Sequence, residues 1–106
     1  MKLFRKLIRD KMPGILAKEG KTVKTRVLES DAEYFEWLRR KLLEEVQEIA
    51  EKPNDRMFLV ERLAYLAEIE GIIAELRGIT SEEITKRKKQ IIAERGSFKK
   101  RLLLEP

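Results

Sequence analysis

The sequence predicts an all-α fold, a compact helical bundle built as a single domain over residues 1–106. Two observations support this prediction. The segments that begin at Ser30 and Thr80 have the capping-box pattern, in which a hydroxyl and a carboxylate three residues later bind free backbone N–H groups at a helix start. Between these caps and the next Pro or Gly, apolar residues recur at helical spacing.

The first two helices are expected in the N-terminal half. Asp10 is a candidate cap for a short helix that holds Pro13 in its first turn and ends at Gly20. A long helix should begin near Asp31 and stop at Pro53. Its apolar face comprises Phe35, Leu38, Leu42, Val46 and Ile49.

A third helix should run from about Arg56 to Arg77. It is apolar nearly all round, which indicates that neighbouring helices or another subunit cover several of its sides. A fourth helix should extend from the Thr80 capping box to just before Gly96. Alternating residues over 22–28 predict a short extended segment, and residues 101–104 are its candidate partner in a two-stranded pairing.

The composition excludes several kinds of chemistry. The chain has no Cys and no His, which removes disulfides, zinc fingers and imidazole-based catalysis. Carboxylates remain for metal binding, and oxygen ligands suit hard cations such as Mg²⁺ or Mn²⁺. No apolar stretch is long enough to cross a membrane, so we expect no membrane partner and a cytoplasmic location. The 41% charged residues leave a modest apolar core, which favours self-association.

Charge is distributed unevenly along the chain. Lys and Arg outnumber acids nine to two in residues 1–28 and eight to one in residues 86–101, whereas acids lead fifteen to seven in residues 29–85. The basic ends are suited to an anionic substrate and the acidic middle to a metal, but ordinary solvated helix faces give the same pattern. We expect no nucleic-acid partner, because no recognised nucleic-acid-binding motif accompanies the basic ends.

One arc of the long helix carries the candidate catalytic and metal-binding residues. Lys41, Glu44, Glu45 and Glu48 share this arc at about 100° per residue. Three carboxylates there repel one another unless a cation joins them, and glutamates three or four residues apart can close on one ion. The alternative is a solvated face on which Lys41 pairs with Glu45.

Three short stretches together resemble a known family. They are KLIRDKMP at residues 6–13, KLLEEVQE at residues 41–48 and RGSFKKR at residues 95–101. In their order and spacing they are similar to the all-α nucleoside triphosphate pyrophosphohydrolases, the MazG-like and phosphoribosyl-ATP pyrophosphohydrolase-like group, and in particular to its short house-cleaning members. The resemblance implies a homo-oligomeric helical bundle, a dimer or tetramer. It also implies that Mg²⁺ is used to split a nucleoside triphosphate into the monophosphate and pyrophosphate.

By this resemblance, the chain holds half of a two-part metal motif. Glu44, Glu45 and Glu48 match its first half, with Lys41, Glu44 and Glu45 as catalytic residues. In the second half, Arg62 stands where the family has Glu and Tyr65 where it has Asp, and neither is an ordinary Mg²⁺ ligand.

Two consequences of these replacements stay open in the sequence. In the first, Glu61 and Glu68 supply carboxylates to the metal from a shifted geometry, and the protein remains an enzyme. Alternatively, the Arg62 guanidinium takes the metal's place and neutralises Glu45 or Glu48 through a forked hydrogen bond, which gives a catalytically inactive relative that binds nucleotide or assembles. Together with Glu75, Glu61 and Glu68 also form a seven-residue acidic stripe that can pair with Lys or Arg of another subunit.

Basic residues near the ends of the chain are the candidate phosphate ligands. They are Arg9, Lys11, Arg95 and Lys99, all of which lie within the stretches that carry the resemblance. Each can neutralise charge on a triphosphate.

Overall fold

The computed structural model describes residues 5–106 and contains four α-helices in that part of the chain. They are α1 (Met12–Lys18), α2 (Asp31–Glu51), α3 (Arg56–Leu76) and α4 (Ser81–Arg95). The all-α prediction is confirmed. The first four residues of the predicted domain lie outside the described residues.

The two long helices, α2 and α3, form an antiparallel hairpin, and a side chain caps the N-terminus of each. The Ser30 hydroxyl accepts a hydrogen bond from the backbone N–H of Glu33, and the Asp55 carboxylate accepts one from Phe58. A short turn at Pro53 connects the helices. Packing between helices is concentrated in this pair, where Leu38 of α2 and Ile69 of α3 are buried. The hairpin is the scaffold on which the candidate site is built.

The two predicted capping boxes differ in the structure. At Thr80 the box is complete, because the hydroxyl and the Glu83 carboxylate each accept a backbone N–H, at 3.1 and 2.9 Å. At Ser30 only the hydroxyl half forms. The Glu33 carboxylate pairs with the guanidinium of Arg26 instead, a charged partner that replaces the backbone donor.

The predicted Asp10 cap is wrong. Helix α1 begins after Lys11 and has no side-chain cap, because a turn in which the Met12 N–H donates to the Arg9 carbonyl places the helix start one residue beyond the reach assumed for Asp10. The predicted end is confirmed: Gly20 has a φ of 80°, and the N–H of Lys21 donates back to the Leu16 carbonyl.

The predicted strand pairing is also wrong. Residues 22–28 and 101–104 contain no strand in the described structure. The tail turns at Arg101, whose N–H donates to the Phe98 carbonyl, and Leu102, Leu103 and Leu104 are then almost fully exposed. An extended segment becomes a strand only with a partner to satisfy its backbone groups, and no backbone hydrogen bond joins residues 101–104 to residues 22–28 in the described structure.

Helix α4 stands apart from the hairpin. All fifteen of its residues are exposed, although it ends before Gly96 as predicted. The described helices include none that is long and apolar enough to cross a membrane.

Candidate carboxylate site

The predicted glutamate arc of α2 forms a tight cluster. Glu45 is 2% exposed, and Glu44 and Glu48 on either side of it are half-buried. Carboxylate oxygens of the three residues lie within 4.8 Å of one another. The Lys41 ammonium reaches two of them, at 3.5 Å from Glu44 and 3.6 Å from Glu45. The α-helical repeat brings these four side chains together, as their spacing predicts.

A second cation enters the cluster from α3. One guanidinium nitrogen of Arg62, Nη1, lies 2.7 Å from an oxygen of Glu45 and 2.7 Å from an oxygen of Glu48. The sequence predicts a forked bond to one of these glutamates, but a single nitrogen bridges both. The cause is the position of Arg62 on the face of α3 that meets α2, opposite the step between Glu45 and Glu48.

Aromatic rings hold the Arg62 guanidinium in this place. Its central carbon lies 4.5 Å from the centre of the Phe58 ring and 4.7 Å from that of Tyr65, within the range of cation–π attraction. The buried Nε atom has no hydrogen-bond partner in the described structure. Phe58 is not among the predicted site residues, yet its position one helical turn before Arg62 is the signal that could have identified it.

Glu61 and Glu68 lie outside the glutamate cluster. The Tyr65 hydroxyl donates to Glu61 at 2.5 Å, and Arg9 pairs with Glu68 at 2.8 Å. The Arg9 guanidinium also lies over the Tyr65 ring, 4.4 Å from its centre. The shifted metal geometry predicted for these two glutamates is therefore not the arrangement in this structure, because a phenol and a guanidinium engage their carboxylates.

The surroundings shift the pKa values of several site groups. Burial and the neighbouring Glu45 carboxylate raise the pKa of Glu48 above its usual value, although Arg62 acts in the opposite direction. Hydrogen bonding to Glu45 raises the pKa of Arg62, so this guanidinium stays charged. The hydrogen bond to Glu61 and partial burial raise the pKa of Tyr65, which stays a neutral phenol at neutral pH.

The arrangement does not suit a magnesium ion while Arg62 is in place. Mg²⁺ needs oxygen ligands at about 2.0–2.1 Å in near-octahedral geometry. An ion held by the facing oxygens of Glu45 and Glu48 would lie against the guanidinium that already binds them at 2.7 Å. Two cations in contact repel strongly, so the metal and Arg62 compete for the same oxygens.

The predicted phosphate ligands are distributed differently. Arg9 lies at the edge of the site, where it stacks on the Tyr65 ring and pairs with Glu68. Lys11, Arg95 and Lys99 are exposed, and within residues 5–106 no ion pair joins them to the glutamates. Their role on a triphosphate stays a prediction.

No family model, curated protein or solved structure matches this chain. Three carboxylates converge on one point, and two basic side chains of the same chain neutralise most of their charge. Such a cluster can hold its shape without a bound ion.

Proposed function

We propose that this protein is a metal-independent relative of the nucleoside triphosphate pyrophosphohydrolases, a catalytically inactive chain that binds nucleotide or serves in assembly. The observation that carries the proposal is the Arg62 bridge between Glu45 and Glu48. It supplies from within the protein the positive charge that the glutamate arc requires. The resemblance of three stretches of the chain to that family supports the rest of the proposal, including the homo-oligomeric state, and the proposed cytoplasmic location rests on the lack of a membrane-spanning apolar stretch in the sequence.

The inactive state follows from what the cation is. A guanidinium has no open coordination position, so it cannot ligate a phosphate oxygen and a water together as a metal ion does. Exposed basic side chains would then bind the phosphate groups of a nucleotide, because their charges are complementary. These are Arg9, Lys11, Arg95 and Lys99.

Thermal unfolding with added metal tests this proposal. The melting temperature of the natural chain should not change when Mg²⁺ or Mn²⁺ is added to about 10 mM, because Arg62 already engages the carboxylates of the cluster. In the variant Arg62→Glu/Tyr65→Asp, an ion present at about 100 times its dissociation constant should stabilise the fold by about 2.7 kcal/mol. The exposed Arg56→Glu is the control, since it repeats the charge change of Arg62→Glu on α3 away from the cluster. A metal-induced rise in the natural chain contradicts the proposal.

A second candidate function is Mg²⁺-dependent nucleoside triphosphate pyrophosphohydrolysis. The convergence of three carboxylates within 4.8 Å favours it, because that geometry is the first half of the family's metal motif. It requires Arg62 to leave the cluster when the ion binds. Folded protein should then release pyrophosphate from at least one member of a panel of canonical and damaged nucleotides with Mg²⁺ or Mn²⁺. If no nucleotide of the panel releases pyrophosphate with either ion, this candidate function is wrong.

A further inference from the structure

Helix α4 has an apolar face that residues 5–106 leave partly exposed. Ile84, Ile91 and Ile92 are between 38% and 49% exposed and lie on one side of the helix. With Ile79 and Phe98 they line an open groove of about 580 Å³. An isolated helix of fifteen residues is marginal in water, so α4 needs a partner for this face.

The outer face of α3 is a second apolar surface that the described residues leave exposed. Val60 and Leu63 are 54% and 58% exposed, and the small residues Ala64, Ala67 and Gly71 continue the face along the helix. This face points away from the α2 side, where Ile69 is buried. A side chain as large as isoleucine can approach such a surface closely because the central residues are small.

The total exposed area shows how much packing is missing. The chain exposes 10103 Å², whereas a compact protein of its mass exposes about 6,200 Å². Its radius of gyration is 17.8 Å, against about 13 Å for a compact chain of this length. The excess of about 3,900 Å² is several times the roughly 800 Å² that each partner contributes to a stable interface.

The charges around the two faces are complementary. Arg87 and Lys88 border the α4 groove and outnumber the one acid there, Glu83. Glu61, Glu68 and Glu75 recur every seven residues beside the outer face of α3; Tyr65 and Arg9 engage the first two, and Glu75 is exposed with no ion pair among the described residues. Opposite charges at the edge of an apolar contact set partner choice and orientation.

We propose that α4 of one copy packs its apolar groove onto the outer face of α3 of a second copy, and that the second copy does the same in return. Each chain carries both surfaces, so two copies related by a two-fold axis make the contact twice and leave neither surface open to a third copy. The connection from α3 to α4, through Gly78 with a φ of 68°, directs α4 away from its own hairpin. The inference is independent of whether the glutamate cluster binds metal.

The test measures the oligomeric state of the full chain and of two variants by sedimentation equilibrium. The natural chain should form a dimer of twice its 12.5 kDa mass at about 100 μM. Ala67→Lys blocks the α3 face and Ile91→Lys blocks the α4 groove, and each should weaken the dimer by at least about 100-fold, as expected for a desolvated charge at an interface. Ala50→Lys on α2 and Gln90→Lys on the opposite side of α4 are the controls and should leave the dimer intact.

Mixing the two variants distinguishes this arrangement from others. An Ala67→Lys chain keeps its α4 groove and an Ile91→Lys chain keeps its α3 face, so a mixed dimer retains one of two contacts and should associate more tightly than either variant alone. Far-UV circular dichroism shows whether the variants keep the helical hairpin. A monomeric natural chain overturns the proposal, since α4 would then pack within its own chain. So does a dimer that Ile91→Lys leaves unchanged, since α3 would then pack on α3.

Discussion

Replacing Arg62 by alanine removes the cation that bridges Glu45 and Glu48. Taking one partner out of a buried ion pair destabilises a protein by about 3–5 kcal/mol, because the remaining charge stays desolvated. Glu45 is 2% exposed, but Lys41 remains 3.6 Å away and Glu48 is half-buried, so we expect the lower end, about 3 kcal/mol at pH 8. For a domain of this size that is a fall in melting temperature of about 12–24 °C.

The Arg62→Ala variant should also depend on pH in a defined direction. Burial and Glu45 already raise the pKa of Glu48, and removing Arg62 takes away the group that lowers it. The folded variant then keeps a proton that the unfolded chain loses above about pH 4.3. This contribution to stability is full below that pH and is lost as the pH rises through the raised pKa. The stability difference from the natural chain should therefore shrink between pH 8 and pH 4.5.

Thermal unfolding followed by circular dichroism between pH 4.5 and pH 8, in the presence of a chelator, measures both effects. Arg39→Ala is the matched control, since Arg39 pairs with Glu36 on the exposed surface of α2, where water screens the ion pair and its contribution to stability is small. Two results would show that Arg62 does not neutralise the cluster. One is a fall in melting temperature at pH 8 that is no larger for Arg62→Ala than for Arg39→Ala. The other is a stability difference between Arg62→Ala and the natural chain that does not shrink at acidic pH.

Three further changes test individual contacts. Tyr65→Phe removes the hydrogen bond to Glu61 but keeps the ring under the guanidinium, so denaturant unfolding should show a loss of about 0.5–1.5 kcal/mol. Thr80→Ala breaks the capping box with Glu83 and should lower the helical content of α4 in circular dichroism and amide exchange, with a loss of about 1 kcal/mol. Arg39 and Arg40 lower the pKa of Glu36 to about 2, so its contribution to stability is present above its ordinary pKa and is lost as the pH falls towards 2. Glu36→Gln should flatten the unfolding curve against pH in that range.

The elements that sequence reasoning located correctly are those encoded by neighbouring residues. The starts of α2 and α3 depend on Ser30 and Asp55, which bind N–H groups three residues ahead. The end of α4 depends on Gly96, which adopts a φ of 84°. A strand differs, because its formation depends on a distant partner, and residues 22–28 lack one in the described structure.

In the candidate site too, the contacts between neighbouring residues were predictable and the contacts between helices were not. Helical spacing alone places Lys41 beside Glu44 and Glu45. That Arg62 faces them follows from an alignment of α3 based on resemblance. The position of its guanidinium, however, depends on the register between α2 and α3 and on Phe58, whose role as a stacking platform appears only once the two helices are packed.

The Arg62 bridge also restricts how the hairpin can assemble. A free metal ion can bind carboxylates in several alignments of the two helices. The guanidinium of Arg62 is attached to α3 and contacts Glu45 only in one alignment. Sliding α3 by a single turn, about 5.4 Å, would remove the Arg62 guanidinium from the buried Glu45 carboxylate and leave it only the more distant Lys41 ammonium, at 3.6 Å. We infer that the pair selects the helix register. Replacing both residues with apolar ones, Glu45→Leu/Arg62→Met, should preserve stability but broaden the amide NMR spectrum through exchange between alignments. A single sharp set of resonances from that variant would contradict this inference.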